Sequence, residues 1–440
     1  MIARPRSSTL MLVVLLTITA LLAGVATLLG RTSEPAGKTI VTVRLWDEQV
    51  AAAYRESFVE FSRQHPDIDI RTNLVSYATY FDTLRTDVAG GGADDIFWIN
   101  NSHFAEYADN GRLMAITASP DWDRSVIEQF TRTGVLWGVP QLTDAGIALY
   151  YNADLLAAAG VDPATLGAAR WDPDPGLDTL RPLLARLTVD ANGKASATAG
   201  FDARRIRQWG YNAANDLQGI NLNYIGSAGG VFADGDRFAF DNPQTVTAFQ
   251  YIVDLINRDY VAPPASDTND NGDFSRNQFL SGRMAVFQSG TYNLAQIADQ
   301  ARFRWGVTML PTGPAGRVSV TNGIVAAGNP SSRHPDAVRA VLDWLGSTAG
   351  NEYLGRRGAA IPAVRPAQRA YFDYWSARNI DVTPFFSVLD GPRIEAPGGA
   401  GFAAGYQAIK PYFDEMFLGR MPVAQTLAAA QQAANTAAQR

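Results

Sequence analysis

Two clusters of hydrogen-bonding side chains follow runs that read as strands: Asp47, Glu48 and Gln49 after Ile40–Trp46, and Asn100, Asn101 and Ser102 after Ile96–Ile99. An amide offers both a donor and an acceptor, and a carboxylate accepts from two hydroxyls, a set that matches the vicinal diols of a sugar ring. The same residue types make turns and cap helices everywhere, so each position also carries that plainer reading. Asp47, Glu48 and the later Asp144 could imitate the carboxylate pair of a glycoside hydrolase, about 5 to 9 Å apart, but nothing in the sequence marks such a pair.

Other chemistries lack their residues. There are no cysteines, which removes thiol nucleophiles, thiolate metal sites and disulfides. His65, His103 and His334 are far apart in the chain and show no metal-ligand spacing, so no metal site is expected. No G-x-S-x-G elbow, Walker loop or strand-linked G-x-G-x-x-G occurs, which leaves serine-hydrolase and nucleotide chemistry without support. The formal charge of -6 is spread without long single-sign runs and gives no footprint for nucleic acid. No cofactor is expected.

These residues need a scaffold of alternating elements. At 440 residues, 47% of them hydrophobic, the chain is long enough for two domains. Short apolar runs alternate with helical periodicity, the signature of α/β layers with largely parallel strands. Ile96–Ile99 is apolar on both faces, as a strand inside a parallel sheet must be. A helix over Ala52–Gln64 carries Tyr54, Phe58 and Phe61 on one face and stops before Pro66. Asn242 and Pro243 start a second helix as N-cap and first residue, with Val246, Phe249, Val253 and Ile256 as its buried stripe. Pro335 opens a third, with Val338, Val341, Leu342 and Leu345 inward and Gly346 as its stop.

The first residues carry location. Arg4 and Arg6 precede an uncharged, apolar stretch from Ser7 to Gly30, an export signal or a membrane helix long enough to span hydrocarbon. Arg31–Lys38 then reads as a tether, so residues 1–38 are set apart as signal or anchor plus tether.

In order along residues 39 to 430, the segments VRLWDEQ, FSRQHPDIDI, GGGADDIFWINNSHFAEYADNGRLMAI, GVPQLTDAGIALYYNADLLAAAGVD, SAGGVFADGDRFAFDNPQTVTAF, FLSGRMAVFQSGTYN, WGVTMLPTGPAG and FLGRMPVAQTL resemble the family 1 extracellular solute-binding proteins of carbohydrate ABC importers, the maltose-binding-protein group. Within it the chain also resembles the amino-sugar-binding proteins of actinobacteria. The resemblance implies a two-lobed periplasmic-binding-protein fold of type II, each lobe a mainly parallel sheet flanked by helices. Lobe one would comprise 39–147 plus 323–363 and lobe two 148–322 plus 364–440, joined by a hinge of about three crossings. It implies a monomer that captures a mono- or oligosaccharide by hinge closure, performs no chemistry on it, and delivers it to permease subunits. Such a protein works outside the cytoplasm, touching the membrane only through its N-terminal segment. The lipid-modified cysteine usual after the signal in one-membrane bacteria is missing.

By the same resemblance, Asp144 faces the cleft near the first crossing, Asn221 and Asn223 face it from the second lobe, and Asn322 with Gly323 marks the return to the first. Gly323 would let backbone amides approach the ligand. Tyr292 takes the place of a stacking tryptophan, Tyr406 matches another aromatic position, and Trp209 is a further aromatic candidate, whereas Tyr150 and Tyr151 read as core. Acids among the candidates and the absence of a basic cluster favour an amino sugar. A secreted glycoside hydrolase or a carbohydrate-binding adhesion module are the competing readings.

Overall fold

The computed structural model describes residues 37–143 and 145–439. The signal or anchor segment, and with it Asp144, lies outside the described residues. The chain first lays down β1 (Thr39–Leu45), α1 (Glu48–Gln64), β2 (Ile68–Leu74), α2 (Tyr77–Gly90), β3 (Ile96–Asn100), α3 (Phe104–Asp109), α4 (Arg124–Gln129) and β4 (Val139–Thr143). It then crosses to β5 (Ala148–Asn152), continues through α5 (Leu222–Ser227) and α6 (Pro243–Asn257), and pairs β5 with β6 (Val286–Ser289) and β7 (Trp305–Thr308). After β8 (Ser319–Thr321) it returns as β9 (Gly323–Gly328), α7 (Pro335–Leu345) and α8 (Thr348–Arg356). The last elements are β10 (Arg393–Glu395), α9 (Phe402–Phe417) and α10 (Val423–Ala438).

The first sheet has the order β2-β1-β3-β9-β4. β1 runs parallel to β2 and β3, while β9, inserted from far along the chain, runs antiparallel to both β3 and β4. In the second sheet, β6-β5-β7, every pairing is antiparallel, which corrects the mainly parallel arrangement expected there. An apolar run buried on both faces reads the same in either direction, so the pattern never held that information. β8 and β10 form a separate parallel pair.

Apolar side chains collect around these sheets. One core holds Val41, Tyr54, Phe61, Trp98, Phe130, Val325 and Leu345, and a second holds Trp171, Tyr224, Phe238, Phe249, Phe413 and Leu427. A third cluster, with Tyr150, Phe279, Phe287 and Trp375, lies on the second sheet.

Capping side chains explain several helix starts. Asp47 caps α1 by accepting from the Val50 amide at 3.0 Å, so the helix starts earlier than the expected Ala52. Asn242 caps α6 by accepting from the Thr245 amide at 2.9 Å, with Pro243 in the first turn. In α7 all four expected residues are buried, but Gly346 has φ -87°, not the left-handed conformation of a glycine stop. Its smallness serves packing instead: a Cβ there would lie 2.7 Å from the Trp122 ring, whose Nε1 donates to the Gly346 carbonyl at 2.7 Å.

Candidate functional site

The ends of β1 and β3 carry the first half of the site. Trp46 is half-buried in a nest of Tyr77, Tyr80, Phe81 and Trp98, with ring centroids 4.8 to 5.7 Å away. The floor beneath is fixed by hydrogen bonds, Trp98 Nε1 donating to the Tyr54 hydroxyl at 3.1 Å and that hydroxyl to Gln141 Oε1 at 2.5 Å. Tyr77 itself is 52% exposed at the start of α2. The half-buried Asp47 carboxyl is raised above its usual range by burial, against the pull of the Val50 and Gln49 amides. Glu48 is exposed in the first turn of α1 and Gln49 is half-buried.

At the end of β3, Asn100 is buried, with Oδ1 2.8 Å from His103 Nδ1. The His103 ring stacks on Phe81 at 3.7 Å and 3°, and burial, with a contribution from Arg85, holds its pKa down to about 3. It is therefore a neutral ring, and the Asn100 partner assigns the proton to Nδ1. Ser102 is buried, and Asn101 is half-buried with an Oδ1 that has no hydrogen-bond partner among the described residues.

The second half comes from elements packed on the other core. Asp216 caps the turn Leu217–Asn221, accepting from the Gln218 and Gly219 amides at 3.1 and 2.8 Å. Its carboxyl is open to water, yet the surrounding protein desolvates it enough to raise its pKa. Both hold together for a group lining a concavity, where neighbours are dense on most sides and water enters from one. Tyr406, on α9, stacks on Phe402 with centroids 5.4 Å apart. Burial raises its hydroxyl pKa first, and then the nearby Asp216 and Tyr77 do so. One hydroxyl thus lies within electrostatic reach of groups from both halves. Phe402 in turn meets the edge of His103 at 5.8 Å and 88°.

The remaining candidates divide. Tyr292 is 43% exposed, on a turn after β6, and its ring folds over Gly290, where a Cβ would lie 2.3 Å from it. Asn322 and Asn221 are buried, each with an Oδ1 lacking a partner among the described residues. Asn223 is committed to the scaffold: its Nδ2 donates to the Gln218 and Gly219 carbonyls and its Oδ1 accepts from the Val320 amide at 3.1 Å. The space beside Gly323 is filled by α4 and the residue after it, since a Cβ there would lie 3.0 Å from Gln129 Oε1 and 3.2 Å from Phe130 and Val126. Its smallness serves that packing. Trp209 packs against the third apolar cluster, and Tyr150 is fully buried with its hydroxyl donating to the Gly290 carbonyl at 2.8 Å.

Trp46, Tyr77, His103 and Asp216 were not singled out as site residues from the sequence. Trp46 and Tyr77 could have been found as aromatics at the carboxyl end of a strand and the start of a helix. Asp216 has no local signal beyond that of any helix cap. Among the described residues no group of three His, Cys, Asp or Glu side chains could hold a metal ion.

The chain matches the model of the bacterial extracellular solute-binding proteins over residues 46–352. Among solved structures it is similar to UspC of M. tuberculosis, with 72% identity, a TM-score of 0.73, and coverage of 91% of this chain and 100% of that one. An ABC substrate-binding protein from Listeria monocytogenes in complex with cycloalternan shares the fold at 19% identity and a TM-score of 0.77, covering 91% and 98%. A maltose-bound protein of T. maritima does so at 21% identity and a TM-score of 0.73, covering 90% and 99%. These neighbours share a two-lobed α/β architecture with the chain described above. With its family model matched over more than half its length, the chain belongs to the bacterial extracellular solute-binding proteins.

Proposed function

We propose that this chain is the solute-binding subunit of a carbohydrate ABC importer, and that it closes on a sugar carrying an amino group without altering it. The observation that carries the reading is electrostatic: the Tyr406 hydroxyl feels both Asp216, beside it in the second half of the site, and Tyr77, in the first. Aromatic faces pack against a sugar's C–H face, while a carboxylate and unpartnered amide oxygens accept from its hydroxyl and ammonium groups. The sugars in the complexes of the Listeria and T. maritima proteins support a carbohydrate for this chain as well. An ammonium gains most from the carboxylate, because hydrogen bonds between charged partners contribute about 1.5 to 3 kcal/mol against about 1 for neutral ones.

In this reading lobe one is 39–147 plus 323–363 and lobe two is 148–322 plus 364–440, one on each of the two large cores. A ligand held by one lobe gains contacts to the other only on closure, so binding favours the closed arrangement that a permease recognises. The protein acts as a monomer outside the cytoplasm, held to the membrane by the segment before residue 37. A thermal-shift panel of matched neutral, amino and N-acetylated sugars tests the ligand class. Chromatography of chitobiose after incubation tests the chemistry, and cleavage products would replace the binder with a hydrolase.

A further inference from the structure

At the rim of the aromatic cluster, a seam joins segments anchored in different cores. The short hairpin Thr131–Arg132/Val135–Leu136 lies between Phe130 and Leu136 of the first core. The hairpin Ala233–Asp234/Arg237–Phe238 lies between Phe232 and Phe238 of the second. Asp109, of the first body, holds the Arg132 guanidinium by two bonds of 2.5 and 2.7 Å. The same Nη2 lies 3.7 Å from Asp236 Oδ2 in the second body. Arg132 is thus oriented by its own body before it meets the other, which lowers the entropy cost of the cross-body contact.

The loop beside it is fitted to the same seam. Gly399 has φ +114°, and a Cβ there would lie 2.5 Å from Asp236 Oδ1. A Cβ at Gly398 would lie 2.8 Å from the Asn101 carbonyl oxygen, so the second body's loop meets the turn after β3 with no room for a methyl group. A backbone oxygen cannot swing aside as a side-chain tip can, so an added methyl must push the bodies apart locally.

We infer that this seam, with Arg132–Asp236 as its charged contact and Gly398 as its steric limit, sets the balance between open and closed arrangements and so tunes solute affinity from the rim of the site. The inference rests on the closure reading above, and its test does not require a bound solute. Because the chain has no cysteine, Val59→Cys and Leu177→Cys, at exposed positions in the first and second bodies, give a unique spin-label pair. In the solute-free protein, Asp236→Lys and Gly398→Ala should each move the label-to-label distances toward longer separations, while Asp236→Glu keeps the parent distribution. Melting curves should stay cooperative for all three, which separates a shifted balance from a damaged fold. With chitobiose as probe, Asp236→Asn should bind 2- to 5-fold more weakly, the scale of an exposed ion pair, and lose the salt dependence of the parent. Unchanged distances in both Asp236→Lys and Gly398→Ala overturn the inference. If the parent binds no chitobiose or other sugar, the functional reading fails, while the distance shifts still decide the seam.

Discussion

Replacing Asp216 by Asn should separate the two roles given to that residue. Oδ1 accepts the Gln218 and Gly219 amides, and asparagine caps a turn as well as aspartate does, so the backbone there should hold. The change removes the charge. Burial raises this carboxyl above its ordinary 3.8, so the folded state prefers the protonated form. That contribution to stability is full below 3.8 and is lost as the pH climbs through the raised folded value; above it the ionised group weighs against folding. At neutral pH the variant should therefore melt no lower than the parent. Binding should respond in the opposite direction. Exchanging a charge-assisted hydrogen bond for a neutral one removes about 0.5 to 2 kcal/mol, or roughly 2- to 30-fold in affinity for an amino sugar, and much less for its neutral counterpart. Calorimetry with matched glucosamine- and glucose-type ligands, beside melting curves at neutral pH, reads both effects. A variant that melts well below the parent while binding both ligands equally would reduce Asp216 to a turn cap and refute the reasoning.

Other perturbations have definite outcomes. Tyr77→Ala and Tyr406→Ala should each weaken sugar binding by about 1 to 3 kcal/mol in calorimetry with a cooperative melt retained; parent affinity in both would remove the platform. Asn351→Ala strips a fully buried amide from the Gln141 carbonyl, which keeps its bond from the Ala363 amide, and from the Val364 amide, which is left unpaired, and should cost about 1 to 3 kcal/mol in denaturant unfolding. Gly323→Ala should cost about 1 to 3 kcal/mol of stability by overpacking against Phe130 and Val126; a loss of affinity with stability intact would restore the ligand-facing role. The His103 ring, held neutral down to about 3, contributes stability that is present above its ordinary 6.5 and is lost as pH falls through that window. The melting temperature of His103→Gln should accordingly fall less steeply between pH 7 and 4 than the parent's.

Signals confined to a few neighbouring residues were legible in the sequence. The cap and first-turn proline of α6, the buried stripe of α7 and the two-sided burial of β3 all follow from such patterns. Relations across the chain were not legible. Trp46 packs on Tyr77, and the Tyr406 hydroxyl feels Tyr77 and Asp216, separations in sequence at which no periodicity connects a carboxylate to a ring. Glycine shows the same limit, because Gly346 and Gly323 stand out in the sequence while the side chains that exclude a Cβ there, Trp122 and Phe130, come from elsewhere in the chain. The antiparallel second sheet was hidden for a related reason: β5 and β6 are joined by more than a hundred residues, and an apolar run does not record its direction.

Small-angle scattering of residues 37–440, titrated with chitobiose and with a matched neutral disaccharide, tests capture by closure most directly. The expected result is a saturable fall in the radius of gyration, at lower concentration for the amino-sugar-type ligand, with the sugar recovered intact from the complex. A radius unchanged at concentrations where calorimetry shows the site filled, or recovery of monosaccharides in place of the disaccharide, contradicts it.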